Sequence, residues 1–452
     1  MTFRGLLGVV LTLALLGGAG LAWFRAEGDA PTIDAETPAA IGGPGRTIAI
    51  DVSDSGSGLR RVRVVIEHAQ GEVVAVETLY PGNLGTGGSP PQFSKRIEFH
   101  IDPTKLDLPE GVATLVATAR DWSWRDGFLG NETRWQVPLE IDLQKPRIQV
   151  ESGLTYIARG GSGAVEYRVG EPTVRDGVQV GDAFYPGYPA PGDEQGSSRR
   201  FALFAVATDA PSDPRIEVIA EDSAGNIGRA SWPAVLKEKT LPEDDVILPR
   251  RFLETTVRNL ADIEGIANDD LDSAFDEINT RLRASNEAQI RQIVRDSTPV
   301  QLWRGAFVQL RNSVVTSRFA ERRSYFSNGV EISNATHFGY DLASTSGAPI
   351  EASNSGRVIF AGDLGIYGNC VIVDHGLGLF TLYAHLSRMD VSAGDSVEQH
   401  GQLGLSGATG LAGGDHLHFA IIVAGTYVEP LEWWDPLWVQ THVEARIAPA
   451  SP

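Results

Sequence analysis

The spacing of hydrophobic and polar positions between residues 45 and 238 is that of β-structure. Runs such as "RTIAIDVSD", "LRRVRVVIEH" and "ATLVATARD" show partial alternation, are rich in β-branched residues and end at Gly, Pro, Asn or Asp. This alternation is typical of half-buried strands bounded by turns. Because no helical pattern separates the runs, they predict a β-sandwich architecture.

This β-rich stretch contains a weak internal repeat. "SGSGLRRVRV" is echoed by "GGSGAVEYRV", and "ATARDWSWRDGFLGNETRW", ending at Trp135, is echoed by "VIAEDSAGNIGRASW", ending at Trp232. The offsets are roughly 95 to 105 residues, about the size of one immunoglobulin-like domain. We therefore predict two tandem immunoglobulin-like sandwiches, over residues 45–143 and 144–238.

After about residue 239 the apolar positions recur at three- and four-residue spacing. "ETTVRNLADIEGI", "DLDSAFDEINTRLRASN" and "EAQIRQIVRDS" show this spacing, with acidic residues near their starts. The pattern predicts a helical segment over 239–300. We interpret it as a packing element or spacer, and the alternative is a gate over a functional site downstream. The following Gly-rich, strand-like region predicts a β-rich domain over 301–440, with a tail at 441–452.

The N-terminus carries a long apolar run. Twenty uncharged residues, from Gly5 to Phe24, follow Arg4. A helix of that length would just cross a bilayer core of about 30 Å, and the acidic flank that follows disfavours a cytoplasmic body. A small-x-small cleavage site ending at Ala22 is equally compatible. Residues 1–25 are thus predicted as a signal peptide or a retained membrane anchor and 26–44 as a linker, and the body is predicted to be exported to the periplasm or cell surface.

Composition excludes some partners and leaves other questions open. The 452-residue chain has a formal net charge of −20, which argues against broad adhesion to nucleic acids or anionic membranes. Its apolar content of 42% is enough to fill real cores. The single cysteine, Cys370, excludes an intrachain disulfide and says nothing about redox compartment.

Six of the nine histidines lie in the C-terminal β-rich region, and four of them fall in the motifs discussed below. "THFGYDLA" places His337 four residues before Asp341, a spacing that puts both side chains on one face of a strand. "DHLHFAII" places His416 and His418 two apart, also on one face, and His385 ends the strand-like "TLYAH". Two histidines and one carboxylate are a known zinc ligand set that leaves a fourth position open for water.

The order of these motifs resembles a known family. Residues 326–436, about a quarter of the chain, contain "HFGYD", "YAHL", "GATG" and "GGDHLHF" in that order. This set is similar to the lysostaphin-type, or LytM-like, zinc metallopeptidases, which cleave peptide cross-links of bacterial peptidoglycan. The chain has no HExxH helix, so the better-known zinc-protease arrangement does not apply.

The resemblance implies a role for each motif residue. His337, Asp341 and His418 would be the ligands of one Zn²⁺ per chain, and His385 and His416 would be the catalytic histidine pair, with their individual roles unassigned. The implied function is a zinc metalloendopeptidase acting on peptidoglycan stems or cross-bridges by attack of activated water. The alternative is a catalytically silent regulator or scaffold of other wall hydrolases, but all five motif residues are present.

Other residues of this region have ordinary structural interpretations. We interpret His375 as structural and Cys370 as a small buried hydrophobe. Tyr383 is compatible with either substrate contact or core packing. The pair Trp433–Trp434 is interpreted as a hydrophobic plug that closes the domain.

Overall fold

The protein is mainly β and multidomain, as the hydrophobic pattern predicts. The computed structural model describes residues 3–82, 91–194 and 196–447. The last five residues of the predicted tail, 448–452, lie outside this range. The chain divides into two compact units, Met1–Pro146 with Glu221–Ile227, and Arg147–Ala220 with Gly228–Pro452.

The first unit is built around a sandwich of two sheets, ordered β1-β3-β6 and β2-β8-β7-β4-β5. Apolar side chains that alternate along β3 (Ile48, Ile50, Val52) and β4 (Val62, Val64, Ile66) meet in one core. The strands are β1 (Thr32–Ala35), β2 (Ala40–Ile41), β3 (Arg46–Ser53), β4 (Leu59–His68), β5 (Gly71–Leu79), β6 (Ser94–Ile101), β7 (Gly111–Asp121) and β8 (Glu132–Ile141).

The predicted linker over 26–44 is corrected by this arrangement. β1 pairs antiparallel with β3, and β2 pairs parallel with β8. Residues 32–35 and 40–41 of the stretch therefore belong to the sandwich. The sequence does not predict β1 and β2, because these edge strands are too short to show a clear alternation and the stretch is rich in Pro, Gly and Ala.

The internal repeat corresponds to the same Asp–Asn hydrogen-bonded pair in two loops of different length. Asp121 accepts hydrogen bonds from the Asn131 backbone N–H (2.7 Å) and side-chain Nδ2 (2.8 Å). Asp222 accepts the equivalent pair from Asn226, both at 2.9 Å. Each asparagine also donates from Nδ2 to the backbone of an earlier segment, Asn131 to Asp29 O and Asn226 to Asp142 O. The echoed Asp and Asn thus hold each turn to the chain that precedes it.

The N-terminal run forms a helix over Phe3–Arg25, followed by a short helical turn at Arg125–Phe128 later in the same unit. Arg25 at the end of the first helix is buried, and its Nη1 donates to the backbone oxygen of Trp122 at 2.6 Å. Among the residues described, none of the helices has both the length and the apolar character needed to span a membrane.

The second unit begins with further sheets, ordered β14-β15-β11-β9 and β13-β12-β16-β17, and a parallel pair of β10 with β18. Tyr167, Phe201 and Phe204 are fully buried between these strands. The strands are β9 (Ile148–Val150), β10 (Thr155–Ala158), β11 (Ser162–Val169), β12 (Arg175–Val180), β13 (Ala183–Pro186), β14 (Tyr188–Pro189), β15 (Arg199–Ala205), β16 (Ile216–Glu221), β17 (Ile227–Ala230) and β18 (Ala234–Lys237).

The predicted helical segment forms two helical runs after strand β19 (Glu243–Ile247). The first covers residues 250–264 and ends at Gly265, whose φ of 66° suits a left-handed cap. The second covers 271–293 and starts at Asp270, whose side chain accepts from the Asp272 N–H. The pieces are Arg250–Phe252, the π turn Leu253–Val257, Arg258–Glu264, Leu271–Glu277, the π turn Ile278–Leu282 and Arg283–Ile293.

The C-terminal region contains an eight-stranded sheet whose central order is β23-β31-β27-β26, flanked by the smaller sheets β19-β21-β22 and β24-β30-β28. The strands are β20 (Val314–Ser317), β21 (Glu321–Ser327), β22 (Val330–His337), β23 (Tyr340–Ala343), β24 (Pro349–Glu351), β25 (Gly356–Asp363), β26 (Asn369–Gly376), β27 (Leu379–Leu386), β28 (Arg388–Met389), β29 (Ser396–Val397), β30 (Gln402–Leu405), β31 (Leu417–Val423) and β32 (Thr426–Val428). Short helical pieces follow at Gly365–Tyr367, Pro430–Trp434, Pro436–Trp438, Val439–Glu444 and Ala445–Ile447.

One continuous hydrophobic core runs through the second unit, from Ile157 to Val443. Phe275 and Ile278 of the helical segment are buried in it, and β19 pairs parallel with β21 of the C-terminal region. The stretches that the sequence separates into a sandwich, a helical segment and a C-terminal domain therefore share one core within this unit.

Candidate metal and catalytic site

Neighbouring strands position the three predicted ligands. His337 is the last residue of β22, Asp341 lies in β23 and His418 lies in β31. Asp341 and His418 are direct cross-strand partners. The expectation that His337 and Asp341 lie along one strand is wrong, because the chain leaves one sheet after His337 and enters another at Tyr340.

Gly339 lets the backbone between β22 and β23 pass close to the His418 ring. A Cβ atom at residue 339 would lie 2.6 Å from Cε1 and 2.7 Å from Nε2 of the His418 ring. It would also lie 2.6 Å from the backbone oxygen of Phe419. Contacts this short do not occur, so any side chain at residue 339 would push the His418 ring out of place. The glycine inside "HFGYD" is therefore a structural requirement of the group.

Three side-chain atoms of the site converge. His337 Nε2, Asp341 Oδ1 and His418 Nδ1 are each 3.0 Å from the other two. Ligand atoms of one zinc ion, each about 2.0–2.2 Å from it, are at most about 4 Å apart. The three residues satisfy this limit, and all have low solvent exposure.

Hydrogen bonds around the group favour a cation within it. The other ring nitrogen of His337, Nδ1, lies 2.9 Å from the backbone oxygen of Arg318 and must donate to it. In neutral His337 this leaves a lone pair on Nε2, directed at the carboxylate of Asp341. Two acceptors 3.0 Å apart repel unless a proton or a cation lies between them. A carbonyl that orients a histidine in this way is the usual arrangement behind a metal ligand.

The second oxygen of Asp341 is bound by an arginine. Arg323 Nη2 donates to Asp341 Oδ2 at 3.2 Å and also lies 3.4 Å from Glu321 Oε2. Burial alone would raise the pKa of Asp341, but the charge and hydrogen bonds of the surrounding histidines hold it well below its usual value. Asp341 is therefore an ionised carboxylate, and Arg323 leaves Oδ1 free to face the histidines.

The predicted catalytic pair lies beside this group. The rings of His385 and His416 have their centroids 4.8 Å apart, and His385 is 5.9 Å from the His418 ring. His385 Nδ1 donates to the Thr409 backbone oxygen, and His416 Nδ1 donates to that of Gly414, both at 2.8 Å. Both hydrogen bonds leave Nε2 of each ring available for a reacting group.

Local backbone geometry orients the rings of His385 and His416. His385 has a φ of 65°, an uncommon conformation for a residue with a side chain, and such strain is concentrated at functional sites. Its carbonyl partner, Thr409, belongs to the "GATG" turn, and Thr409 Oγ1 also donates to Leu386 O at 2.9 Å. His416 precedes β31 in an isolated bridge with Gly407.

The histidines of the site differ in the direction of their pKa shifts. Burial lowers the pKa of His385 to about 3, with His416 and His418 adding to the effect. Burial also lowers the pKa of His418, to about 4. Burial opposes protonation of His416 as well, but the hydrogen bond and charge of Asp341, whose Oδ1 is 3.6 Å from His416 Nε2, raise its pKa.

The five residues line one cavity of about 260 Å³. Its remaining wall comes partly from the helical segment, through Phe252, Phe275 and Arg283. Asn286 of the same segment accepts a hydrogen bond from Ile366 N at 3.0 Å, next to Tyr367 of the cavity wall. The helical segment therefore packs against this domain and shapes the site.

Other residues singled out in the sequence lie elsewhere. His375 is buried and hydrogen-bonded through both nitrogens, to Ser355 O and Thr381 Oγ1 at 2.7 Å each. Cys370 is buried, and this burial raises the pKa of its thiol. Tyr383 is a core residue whose hydroxyl accepts from Ser353 N at 2.8 Å. Trp433 is fully buried against Trp303.

Sequence reasoning did not find Arg323 or the backbone carbonyls that orient the rings. Arg323 lies 18 residues before Asp341 on β21, and no local pattern connects the two positions. The carbonyl of Thr409 could have been suspected, because the glycine turn "GATG" is part of the motif set. The roles of the Arg318 and Gly414 backbone carbonyls could not be predicted, because they do not depend on the side chains at these positions.

Comparison with known proteins assigns the family. The β-rich domain with a His–Asp–His group is typical of a metal-dependent hydrolase, and residues 335–430 match Peptidase family M23. The region is 40% identical over 95 residues to the DD-carboxypeptidase/endopeptidase Mpg of Neisseria meningitidis, covering 21% of this chain and 22% of that protein. It is 38% identical over 98 residues to the peptidoglycan DD-endopeptidase ShyA of Vibrio cholerae, covering 22% of this chain and 23% of that protein.

The C-terminal part of this chain is thus an M23 peptidase domain of the LytM/lysostaphin type. The chain spans less than a quarter of the length of these curated relatives. A solved structure described as a putative peptidase M23 from Pseudomonas aeruginosa aligns with 61% of this chain and 94% of that one, at 23% identity and a TM-score of 0.38. At that TM-score the alignment has no bearing on the assignment.

Proposed function

We propose that the protein is a zinc-dependent endopeptidase that hydrolyses peptide bonds in the stems or cross-bridges of bacterial peptidoglycan. The observation that carries the proposal is the set of three mutually adjacent atoms of His337, Asp341 and His418, inside an M23 peptidase domain. The Neisseria relative is named a DD-carboxypeptidase/endopeptidase and the Vibrio relative a peptidoglycan DD-endopeptidase, and these names support the substrate class.

The donor set supports zinc as the metal. Two imidazole nitrogens and one carboxylate oxygen suit zinc, whereas calcium and magnesium prefer oxygen ligands throughout. His337 would bind through Nε2, Asp341 through Oδ1 and His418 through Nδ1. When bound, zinc would supply Lewis-acid chemistry that activates water and polarises the scissile carbonyl.

The two remaining histidines would move protons and stabilise charge. We assign His385 as a neutral acceptor, because its Nδ1–H is donated to Thr409 O and its Nε2 lone pair is free. His416 is assigned as the donor to the developing oxyanion or leaving amine, because its ring lies beside that of His385 and its Nε2 is also free of the backbone hydrogen bond. Arg323 would hold Asp341 in the orientation that presents Oδ1.

Substrate hydrolysis is the direct test. Purified zinc-loaded protein is incubated with isolated sacculi, and the soluble fragments are identified by mass spectrometry. We expect cross-linked peptides to be cut, and a His385→Ala, His416→Ala double variant with equal zinc to release almost none. Equal release by wild type and double variant would contradict the assignment of this site, and no release by either would contradict the substrate class.

We further propose that the protein acts outside the cytoplasm, in the envelope where its substrate lies. Residues 5–24 would direct export as a signal cleaved after Ala22. Cell fractionation with N-terminal sequencing of the recovered protein tests this. Protein found in the cytoplasm with an intact residue 1 would contradict it.

A further inference from the structure

A second group of acidic side chains lies in the first compact unit. Glu27, Asp54 and Asp121 each offer a carboxylate oxygen, and these atoms all lie within 4.8 Å of one another. Asp54 is 4% exposed and Asp121 is 0% exposed. Glu27 and Asp54 follow the N-terminal helix and β3, and Asp121 is the last residue of β7, so that the fold alone brings the three together.

Neutral donors orient these carboxylates. Asp54 Oδ2 accepts from the backbone N–H groups of Gly56 (3.2 Å) and Gly58 (2.5 Å). Asp121 accepts from Asn131, as described above, and from Ser123 N at 2.9 Å. Glu27 Oε1 accepts from the Ser57 hydroxyl at 3.0 Å. These bonds hold the side chains in place without neutralising their charge.

One carboxylate oxygen in the group has no hydrogen-bond donor. Oδ1 of Asp54 is buried and has no hydrogen-bond partner among the described residues, although its other oxygen has two. Buried polar atoms are almost always satisfied by a donor, by water or by an ion. An acceptor with free lone pairs, on a carboxylate grouped with two others, is suited to coordinate a cation.

The net charge around the group also favours a bound cation. Arg25 is the cation beside Asp121, and Asp29 adds a further negative charge near Asp54. Arg125 is a second cation here, since its Nε donates to the backbone oxygen of Glu27 at 3.4 Å. Among the described residues these two arginines face the four carboxylates of Glu27, Asp29, Asp54 and Asp121, which leaves the group net negative.

We propose that Glu27, Asp54 and Asp121 form a calcium site, separate from the M23 metal group. Calcium is a hard cation that takes oxygen ligands only, commonly six to eight of them in flexible geometry. All three donors here are carboxylates, and no histidine or cysteine belongs to the group. Bound calcium would tie the chain just after the N-terminal helix to two turns of the sandwich, and would therefore order the start of the exported body.

The test uses terbium and calcium on the full zinc-loaded chain. Terbium is a calcium analogue whose luminescence is sensitised by a nearby indole, and Trp122 directly follows Asp121. We expect indole-sensitised luminescence that calcium displaces, and a calcium-dependent rise in the unfolding temperature. Asp54→Asn keeps an oxygen for the Gly56 and Gly58 amides and removes one charge, so the calcium Kd should rise by at least about tenfold.

A matched control variant distinguishes loss of calcium binding from general destabilisation of the turns. Asp222 accepts the same pair of hydrogen bonds from an asparagine as Asp121 does, but it belongs to no acidic metal-binding group among the described residues. Asp222→Asn should therefore keep the terbium signal and the calcium response, even where its unfolding temperature falls. Glu27→Gln provides a second variant that should lose them. The proposal is overturned if wild type shows no calcium response, or if Asp54→Asn and Glu27→Gln respond as wild type does.

Discussion

Asp341 and His418 face each other directly across the β23–β31 ladder, with Oδ1 of the first 3.0 Å from Nδ1 of the second. The pair is completed by His337, which reaches the same point from the end of a strand in another sheet. A metal bound here would therefore cross-link two sheets of one domain. Loss of a ligand should reduce metal content and stability together.

Removing His418 should remove the metal. Wild-type protein at pH about 7 should hold about one zinc per chain, and His418→Ala should lose most of it, because two remaining ligands bind zinc far more weakly than three. Metal analysis after gel filtration measures this. If the Asp341→Ala, His418→Ala double variant retained as much zinc as wild type, the ligand assignment would be wrong.

Removing His416 should separate catalysis from metal binding. His416→Ala should keep its zinc and lose peptide hydrolysis by ~10²–10⁴-fold, as is typical for a general acid–base group. The matched control is His400→Ala, a histidine of the same unit that pairs with Glu351 away from the cavity. His400→Ala should retain both zinc and activity. Wild-type hydrolysis by His416→Ala would exclude it from the reaction.

Gly339→Ala should disrupt the metal group without touching a ligand. The added Cβ would lie 2.6 Å from the His418 ring, which must then move. We expect zinc affinity to fall by about 10- to 100-fold, the usual effect of a change behind a metal ligand. Gly413→Ala, where an added Cβ meets nothing within 4 Å, is the control. Equal zinc affinity in both variants would show that His418 tolerates the displacement.

Glu432 should give the second unit a measurable pH dependence. Burial raises the pKa of its carboxyl to about 7, although the hydrogen bonds from Ser162 oppose the shift. Between about pH 4.5 and 7 the unfolded chain ionises this group while the folded chain keeps its proton. The free energy of unfolding should therefore fall as pH rises through this window, by up to about 3 kcal/mol.

Denaturant titrations at several pH values measure the effect of Glu432. The Glu432→Gln variant keeps an oxygen for Ser162 N but cannot ionise, so its free energy of unfolding should fall less over the same pH window. Identical slopes for wild type and variant would show that other groups dominate.

The sequence by itself determined the local elements and the order of the chemistry. Alternation predicted the strands of the first sandwich, because side chains of a strand point alternately to core and solvent. The four motifs from His337 to His418 identified the family, since each motif is contiguous and keeps its residue types. The echo of Asp121 and Asn131 in Asp222 and Asn226 was also visible, because the same Asp–Asn hydrogen bonds require the same residue types.

Only the tertiary structure decided which distant groups meet. The partnership of Arg323 with Asp341, the hydrogen bond from His337 to Arg318 O and the gathering of Glu27, Asp54 and Asp121 join residues 18 to 94 positions apart. The hydrophobic core that the helical segment shares with the M23 domain also joins residues that are distant along the chain. Periodicity reports which face of an element is buried, whereas the partner of that face is selected by packing over the whole unit.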